Sequence, residues 1–362
     1  MKLGDVFKLS SGKSLPEKNR ISGSYNVYGG NGITGNHNDY FVDETTVVIG
    51  RVGEYCGTVH LTTEKSWVTD NALMVTKWYK KVNKQYLVYM LNAMNLHQYA
   101  KTVGQPSISQ ANIYGLEVDL PSIEQQKKIV TVLNLVSKVI NDRKKEIEEL
   151  DNLIKSRFVE MFGERGKVVP LTDYVWFQEG PGVRSIDFTS EGTILLTGSN
   201  INDNQISFGY KSDRFISDEL ANGKYAHFMC DKDDILVVSS AIAPEKFDKK
   251  VTTVEEDKKY CLNTGIIRFK PNQKVMTLGY FREFLKTDYF KYQVMAEMRG
   301  IAQMHFGPSH LKQMTILLPE SMEQQIEFET FVNQVDKLKF EVQKALDETQ
   351  LLMDSLMQEY FG

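Results

Sequence analysis

The chain has 362 residues, 41% of them hydrophobic and 25% charged, a length for two or three domains of ordinary globular composition. No apolar run approaches the ~20 residues of a membrane-spanning helix, and Met1-Lys2-Leu3-Gly4-Asp5 has no basic flank leading into an apolar stretch, so neither a span nor a signal peptide is expected and the cytoplasm is the default. Cys56, Cys230 and Cys261 lack CxxC or Cys/His ligand spacing, which argues against a disulfide framework and a zinc site and leaves no metal expected.

The net charge of −4 is unevenly spread. Residues 1–120 carry 12 basic and 10 acidic side chains and residues 164–318 carry 20 of each, whereas residues 319–362 carry 3 and 10. The surplus of acid sits in the last segment, so the total neither supports nor excludes a DNA partner.

Phe7-Lys8-Leu9-Ser10-Ser11-Gly12-Lys13-Ser14 ends like a phosphate-binding loop but has Phe where that motif needs its first Gly, which argues against nucleotide binding and leaves Lys13 as an exposed lysine. Tyr25 to Ile33 and Gly50 to Gly57 are loops rich in Gly, Asn and aromatics; Thr45 to Gly50 is a short β-branched run that reads as a strand. Trp67 to Leu73, a helix-like stretch from Gln85 to Ala100, the loop Lys101 to Ser107, and a loop and strand from Ile113 to Leu120 follow.

One helix is expected from Ile123 to Met161, with Ser122 at its N-cap and Gly163 at its stop. Ile129, Leu133, Val136, Ile140, Ile147, Leu150 and Ile154 form a seam interrupted at Arg143, and neither Pro nor Gly falls inside. About 38 residues at ~1.5 Å each make a rod near ~57 Å. A second globular segment follows. Its strand Asp234 to Ser239 is matched with Thr45 to Gly50, Tyr260 to Ile266 with Trp67 to Leu73, the helix-like Thr277 to Met298 with Gln85 to Ala100, and Leu311 to Leu318 with Ile113 to Leu120.

The chain then repeats itself. Leu120-Pro121, Glu124-Gln125-Gln126 and Phe162-Gly163 return as Leu318-Pro319, Glu323-Gln324-Gln325 and Phe361-Gly362, the last two at a constant offset of 199 residues. The second seam is Phe328, Val332, Val335, Val342, Leu346, Met353 and Leu356, with Lys339 and Thr349 as polar interruptions and Ser321 at the N-cap. A helix of this length needs a partner, and the other copy, reached after a whole globular segment, offers an antiparallel one; a parallel or intermolecular coiled coil is the alternative. The expected fold is therefore α+β: two mixed globular domains, 1–121 and 164–319, and two long helices, 122–163 and 320–362, paired as an intramolecular antiparallel coiled coil with pseudo-twofold symmetry.

No HExxH, GxSxG, Asn/Asp-Pro-Pro-aromatic or clustered-carboxylate pattern is present, which favours a binding protein over an enzyme. Candidates for base or phosphate contact are Lys13, Tyr28, Asn31, Arg51, Tyr55, Lys101, Gln105 and Ser107 in the first domain. In the second they are Arg184, Asn200, Asn202, Ser239, Ser240, Lys246, Arg299, Gln303 and His305. Arg grips guanine, and Asn or Gln grips adenine, through paired hydrogen bonds.

A divergent domain ending in Leu-Pro, an EQQ-initiated helix ending in Phe-Gly, and the same again resemble the DNA-specificity subunit of type I restriction-modification systems, across essentially the whole chain. Tyr28-Gly29-Gly30-Asn31-Gly32, Gly50-Arg51-Val52-Gly53 and Trp67-Val68-Thr69-Asp70-Asn71-Ala72 look like one type of target recognition domain in that family. The second domain lacks the Gly-Arg-Val-Gly segment. The resemblance implies a non-catalytic subunit, one copy per complex. Its two domains would each read half of a bipartite site in double-stranded DNA, and its helices would set the spacing and dock two methyltransferase subunits. Restriction subunits would join them, and S-adenosylmethionine, ATP and Mg would belong to the partners, none to this chain. Alternatives are the targeting subunit of a combined methylase/nuclease system, a coiled-coil protein scaffold, and a self-sufficient methyltransferase.

Overall fold

The computed structural model describes residues 1–101, 105–163, 166–209, 211–296 and 304–362. The chain folds as two compact units, one made of Met1–Lys145 with Gln343–Gly362 and the other of Glu146–Val342. Each unit holds a globular segment and part of both long helices.

In the first unit β-branched and aromatic runs form β1 (Phe7–Ser11), β2 (Tyr25–Gly29), β3 (Gly32–His37), β4 (Val47–Gly50), β5 (Val59–Leu61), β6 (Trp67–Val68) and β7 (Ala72–Trp78). They are followed by α1 (Lys84–Ala93), α2 (Gln110–Tyr114) and the long α3 (Ile123–Met161). One antiparallel sheet has the order β1-β7-β4-β5; a second has the order β3-β2-β6, with β2 and β6 parallel. Leu9, Ile49, Val59, Leu73 and Val75 on the first sheet pack against Leu87 and Leu91 of α1, and this core takes in Ile129 and Val130 of α3.

The second unit contains β8 (Lys167–Pro170), α4 (Leu171–Tyr174), β9 (Val175–Glu179), β10 (Phe188–Thr189), β11 (Thr193–Leu196), β12 (Ile201–Asn202), β13 (Gln205–Ile206), β14 (Arg214–Ile216) and α5 (Asp218–Asn222). There follow β15 (Ile235–Val238), β16 (Ser240–Ile242), β17 (Val251–Thr253), β18 (Tyr260–Leu262), β19 (Ile266–Pro271), α6 (Leu278–Phe284), α7 (Asp288–Ala296), β20 (Met304–His305), α8 (Pro308–Leu311), β21 (Thr315–Leu318) and the long α9 (Met322–Phe361). Its main antiparallel sheet has the order β9-β19-β15-β17, and a second has the order β10-β14-β11-β18 with β11 and β18 parallel. Strand for strand, β9, β19, β15 and β17 therefore repeat β1, β7, β4 and β5, and β14, β11 and β18 repeat β3, β2 and β6. The two globular segments share a plan that their sequences barely show.

The repeated motifs have matching jobs. Gln126, 2% exposed, accepts the amide of Asn83, the N-cap of α1, at 2.9 Å; Gln325, 1% exposed, accepts the amide of Thr277, the N-cap of α6, at 2.9 Å. The last residue of each EQQ triplet thus ties the start of a long helix to the start of the domain helix beside it. Ser122 and Ser321 cap α3 and α9 by accepting from the amides of Gln125 and Gln324. At the other ends, Phe162 lies 4.8 Å from Tyr280 in the second unit and Phe361 lies 5.3 Å from Tyr86 in the first, ring centroid to ring centroid.

Within the second unit the helix segments run antiparallel: Asp151 pairs with Lys339 at 2.5 Å, Arg157 with Glu327 at 2.8 Å, and Phe158 packs on Phe328. Ile154, Phe328, Val332 and Val335 are buried there and Ile147, Leu150 and Val342 are half-buried. In the first unit Leu133, Val136, Ile140 and Leu346 are buried and Ile129, Met353 and Leu356 half-buried. Of the polar interruptions, Lys339 makes the pair with Asp151, and Thr349 donates to the carbonyl of Ala345.

Four expectations need correction. The loop expected over Tyr25 to Ile33 is strand β2, a tight turn and the start of β3, paired antiparallel. The helix expected over Gln85 to Ala100 ends at Ala93, and a 3₁₀ turn, Leu96–Tyr99, follows Asn95 in the left-handed region (φ +45°). The stretch from Thr277 is two helices, α6 and α7, because Thr287 turns its hydroxyl onto the carbonyl of Phe284 and accepts from the amide of Phe290; residues 297 and 298 lie outside the described residues. Ile113 to Leu120 is the end of α2 and an extended segment that is no strand of either sheet; Glu117 bridges to Lys2, the amide of Leu3 donates to Leu116, and Met1 and Val118 exchange backbone hydrogen bonds. No helix among the described residues is long and apolar enough to cross a membrane, and no group of three His, Cys, Asp or Glu among them could hold a metal ion.

Candidate nucleic-acid interface

In the first unit five loops meet at one end of the β1-β7-β4-β5 sheet. After β4 the chain leaves through Gly50, where a Cβ would stand 2.1 Å from the carbonyl oxygen of Gly30, so the two glycine turns touch through backbone. The amide of Arg51 donates to Asn71 in the turn before β7, and the amide of Ile108 donates to Arg51, both at 2.9 Å. Val52 bridges to Ser107, the amide of Gly53 donates to Pro106, and Lys101 also pairs with Ser107. The Arg51 guanidinium donates to Ser11 Oγ at 3.1 Å. Lys13 sits two residues beyond with its ammonium 4.3 Å over the ring of Phe41, and its carbonyl accepts from Trp67 Nε1.

Lys13, Asn31, Arg51, Tyr55, Lys101 and Gln105 are exposed there and Ser107 is half-buried. Backbone hydrogen bonds hold Lys13, Arg51, Tyr55, Lys101 and Ser107, while the side-chain ends of the first four stay in solvent. A guanidinium, two ammonium groups, amides and a phenol on one rigid edge can contact both phosphates and base edges. His60 lies beneath this edge, its ring 3.2 Å from where a Cβ on Gly32 (φ +77°) would be; burial lowers its pKa and keeps it neutral. Cys56 Sγ lies 3.3 Å from His97 Nδ1, and burial raises the pKa of its thiol.

Register fixes the counterparts in the second unit. The amide of Gly12 donates to Ala72 and that of Gly180 to Ile266; the amide of Arg51 donates to Asn71 and that of Ser239 to Gly265; the amide of Ile108 donates to Arg51 and that of Phe306 to Ser239. Ser239 therefore occupies the place of Arg51, not of Gly50 as the sequence alignment has it, Ser240 and His305 occupy those of Val52 and Ser107, and Glu179 occupies that of Ser11. Gly53 (φ +87°) and Ala241 (φ +56°) share the left-handed backbone that follows. Ser240 Oγ and His305 Nδ1 share a hydrogen bond of 2.9 Å.

Where the first unit makes the tight Gly29–Gly32 turn, the second inserts the β12–β13 hairpin. Lys250 holds it, donating to the carbonyl of Ile201 and to Asn202 Oδ1 at 2.7 Å each, and burial lowers the pKa of that ammonium.

Several candidates prove to be internal. Tyr28 is 3% exposed and its hydroxyl accepts from the amide of Thr63; Asn200 is 1% exposed and donates to Asp213 and Ser207; Ser239 is 0% exposed. Buried side chains cannot reach a base, so these three hold the fold, and Asn202, spent on Lys250 and Ser199, does the same. Arg184, Lys246 and His305 are exposed and Ser240 is half-buried. Arg299 and Gln303 lie outside the described residues. Sequence reasoning missed Ser11 and Glu179. The available signal was a strand ending in Gly at both places, Ser11-Gly12 and Glu179-Gly180.

Residues 1–150 match the family described as Type I restriction modification DNA specificity domain. The matched stretch takes in the globular segment of the first unit. Over 144 residues the chain is 32% identical to the Type I restriction enzyme EcoprrI specificity subunit of Escherichia coli, covering 38% of this chain and 36% of that protein. It is 22% identical over 308 residues to the Type I restriction enzyme MjaVIII specificity subunit of Methanocaldococcus jannaschii, covering 79% and 71%. A putative MjaX specificity subunit from the same organism aligns over 42% of its length at 26% identity, so the chain spans under half of two of these three relatives.

Among solved structures, the type I restriction-modification S subunit from M. genitalium superposes with a TM-score of 0.58 at 15% identity, covering 100% of this chain and 95% of that one. A chain from a structure that addresses complex assembly and conformational transition of the type I R-M system gives 0.53 at 14%, covering 100% and 96%. Specificity-subunit folds thus share this chain's α+β plan.

Proposed function

We propose that this chain is the sequence-specific DNA-binding subunit of a type I restriction-modification complex, non-catalytic itself and present in one copy. Residues 1–121 and 164–319 are its target recognition domains, each reading one half of a bipartite site in double-stranded DNA, and residues 122–163 and 320–362 are the spacer helices. The observation that carries this reading is the repeated sheet whose end, in both units, gathers the loops that differ most. A constant scaffold with variable polar edges suits two readers of unlike sequences.

The helices supply a second function. Leu135, Leu351 and Leu352 in the first unit, and Val159, Leu338 and Phe340 in the second, are large apolar side chains left in solvent. Exposed apolar side chains on the helices of both units suit two methyltransferase subunits, with restriction subunits joining them. S-adenosylmethionine, ATP and Mg belong to those partners, and the assembly works in the cytoplasm.

The test is sequencing of methylated adenine in the source genome with this gene intact and deleted. Loss of one split motif, two specific halves around a fixed gap, is the expected result. An unchanged methylome with the partner methyltransferase expressed overturns the proposal.

A further inference from the structure

The matched registers place opposite chemistry at the same point of the two reading edges. In the first unit that point is a cation: Arg51 reaches over the end of β1 and donates to Ser11 Oγ at 3.1 Å. In the second unit the arginine's place is taken by the buried Ser239, and the hydroxyl's place, at the end of β9, by Glu179. The Glu179 carboxylate is half-buried and has neither a hydrogen bond nor an ion pair among the described residues. It lies beside Gly307, whose Cβ, if present, would be 3.5 Å from Glu179 Oε2. The chain neighbour Gly180 admits no side chain, since a Cβ there would stand 2.2 Å from the carbonyl oxygen of Asn263, so β9 is locked against its neighbour where the carboxylate projects. Other acids of this unit near the sheet are spent: Asp234 pairs with Arg268 and Lys270, and Asp231 with Lys258 and Lys270.

A half-buried carboxylate on a reading edge, with no donor among the described residues, is free to accept one from a ligand. We propose that Glu179 is a specificity-determining residue of the second unit and accepts a hydrogen bond from an exocyclic amine in the major groove, adenine N6 or cytosine N4. The first unit, with Arg51 at the matched point, reads acceptor atoms instead. A carboxylate repels phosphate, so this contact adds discrimination and not general affinity. The inference rests on the chain being a DNA reader.

The test is adenine-methylation sequencing in cells that express the partner subunits and the unaltered chain, Glu179→Ala, Glu179→Met or Arg51→Ala. In the expected result Glu179→Ala relaxes one base position in one half of the motif, with modification at the original site down about tenfold or more. The other half stays unchanged, and it is the half that Arg51→Ala relaxes. Both halves unchanged in Glu179→Ala, or a relaxed position in the half that Arg51→Ala alters, overturns the inference. If Glu179→Ala abolished modification altogether, Glu179→Met, of similar size but without an acceptor oxygen, decides: altered reading at a single position supports the role, and wild-type reading rejects it. Failure of the unaltered chain to direct any split motif would reject the DNA-reading function itself and is seen separately.

Discussion

Gln126 accepts a hydrogen bond from the backbone amide of Asn83 at 2.9 Å and, through its amide nitrogen, donates to the carbonyl of Pro121 at 2.8 Å. One buried side chain thereby closes the end of α1 and the entry to α3 at once. Replacing it by Leu leaves an orphaned amide and an orphaned carbonyl, each costing about 1–3 kcal/mol. Gln126→Leu should lower the unfolding free energy by about 2 kcal/mol or more in urea titration, and Gln325→Leu, which deprives Thr277, should do the same to the second unit. Lys128→Gln, on the exposed face of the same helix turn, should change it by less than about 0.5 kcal/mol.

Phe162 is buried among Phe158, Tyr280 and Phe328. Phe162→Ala should cost about 3–5 kcal/mol, the usual loss for a buried Phe. Phe361, half-buried against Tyr86, should cost less on the same substitution, and differential scanning calorimetry of the two variants checks that order.

Gly50 allows the two glycine turns of the first unit to touch. Gly50→Ala puts a methyl group 2.1 Å from the Gly30 carbonyl oxygen, so the backbone must part. The expected outcome is loss of at least about 2 kcal/mol of stability, with amide exchange accelerated at Arg51 and Ile108, whose hydrogen bonds start from the same turn. No acceleration at those amides would show that the contact is dispensable.

Asp231 accepts from Lys258 and from Lys270, and these contacts hold its pKa down at about 2 against an ordinary 3.8. The folded protein therefore stays ionised where the unfolded chain takes up a proton. The stability supplied is complete above pH 3.8 and fades as the pH falls towards 2. Because the group is partly exposed, its share is under about 1 kcal/mol. Asp231→Asn should destabilise the protein by that small amount at pH 7 and by less at pH 2, measured by denaturant unfolding at both.

The long helices were legible because their signals are local and redundant: a seam of threes and fours, serine caps, and an uninterrupted run free of Gly and Pro. Strand positions such as Val47–Gly50 and Ile235–Val238 were legible for the same reason. Register was not. Arg51 and Ser239 are equivalent through amides that donate to Asn71 and Gly265, and no pattern of side chains announces which amide points where. Breaks in helices were missed at Asn95 and Thr287, where one residue's backbone or hydroxyl overrides a helical run. Burial of Tyr28, Asn200 and Ser239 was hidden because polar residues at strand ends look alike whether they face solvent or each other. Glu179 escaped notice since a lone acidic residue gains meaning only beside the arginine edge to which its strand corresponds.

The placement of Phe361 on Tyr86 also bears on synthesis. Residues 146–342 are contiguous, so the ribosome can deliver everything the second unit contains in one uninterrupted stretch. The first unit is split, and its core waits for a ring made 275 positions after Tyr86. At ~5–20 residues per second, that delay is about 14–55 s. During it the nascent first half has an unfilled place beside α1, which makes the part of the chain made first the part completed last.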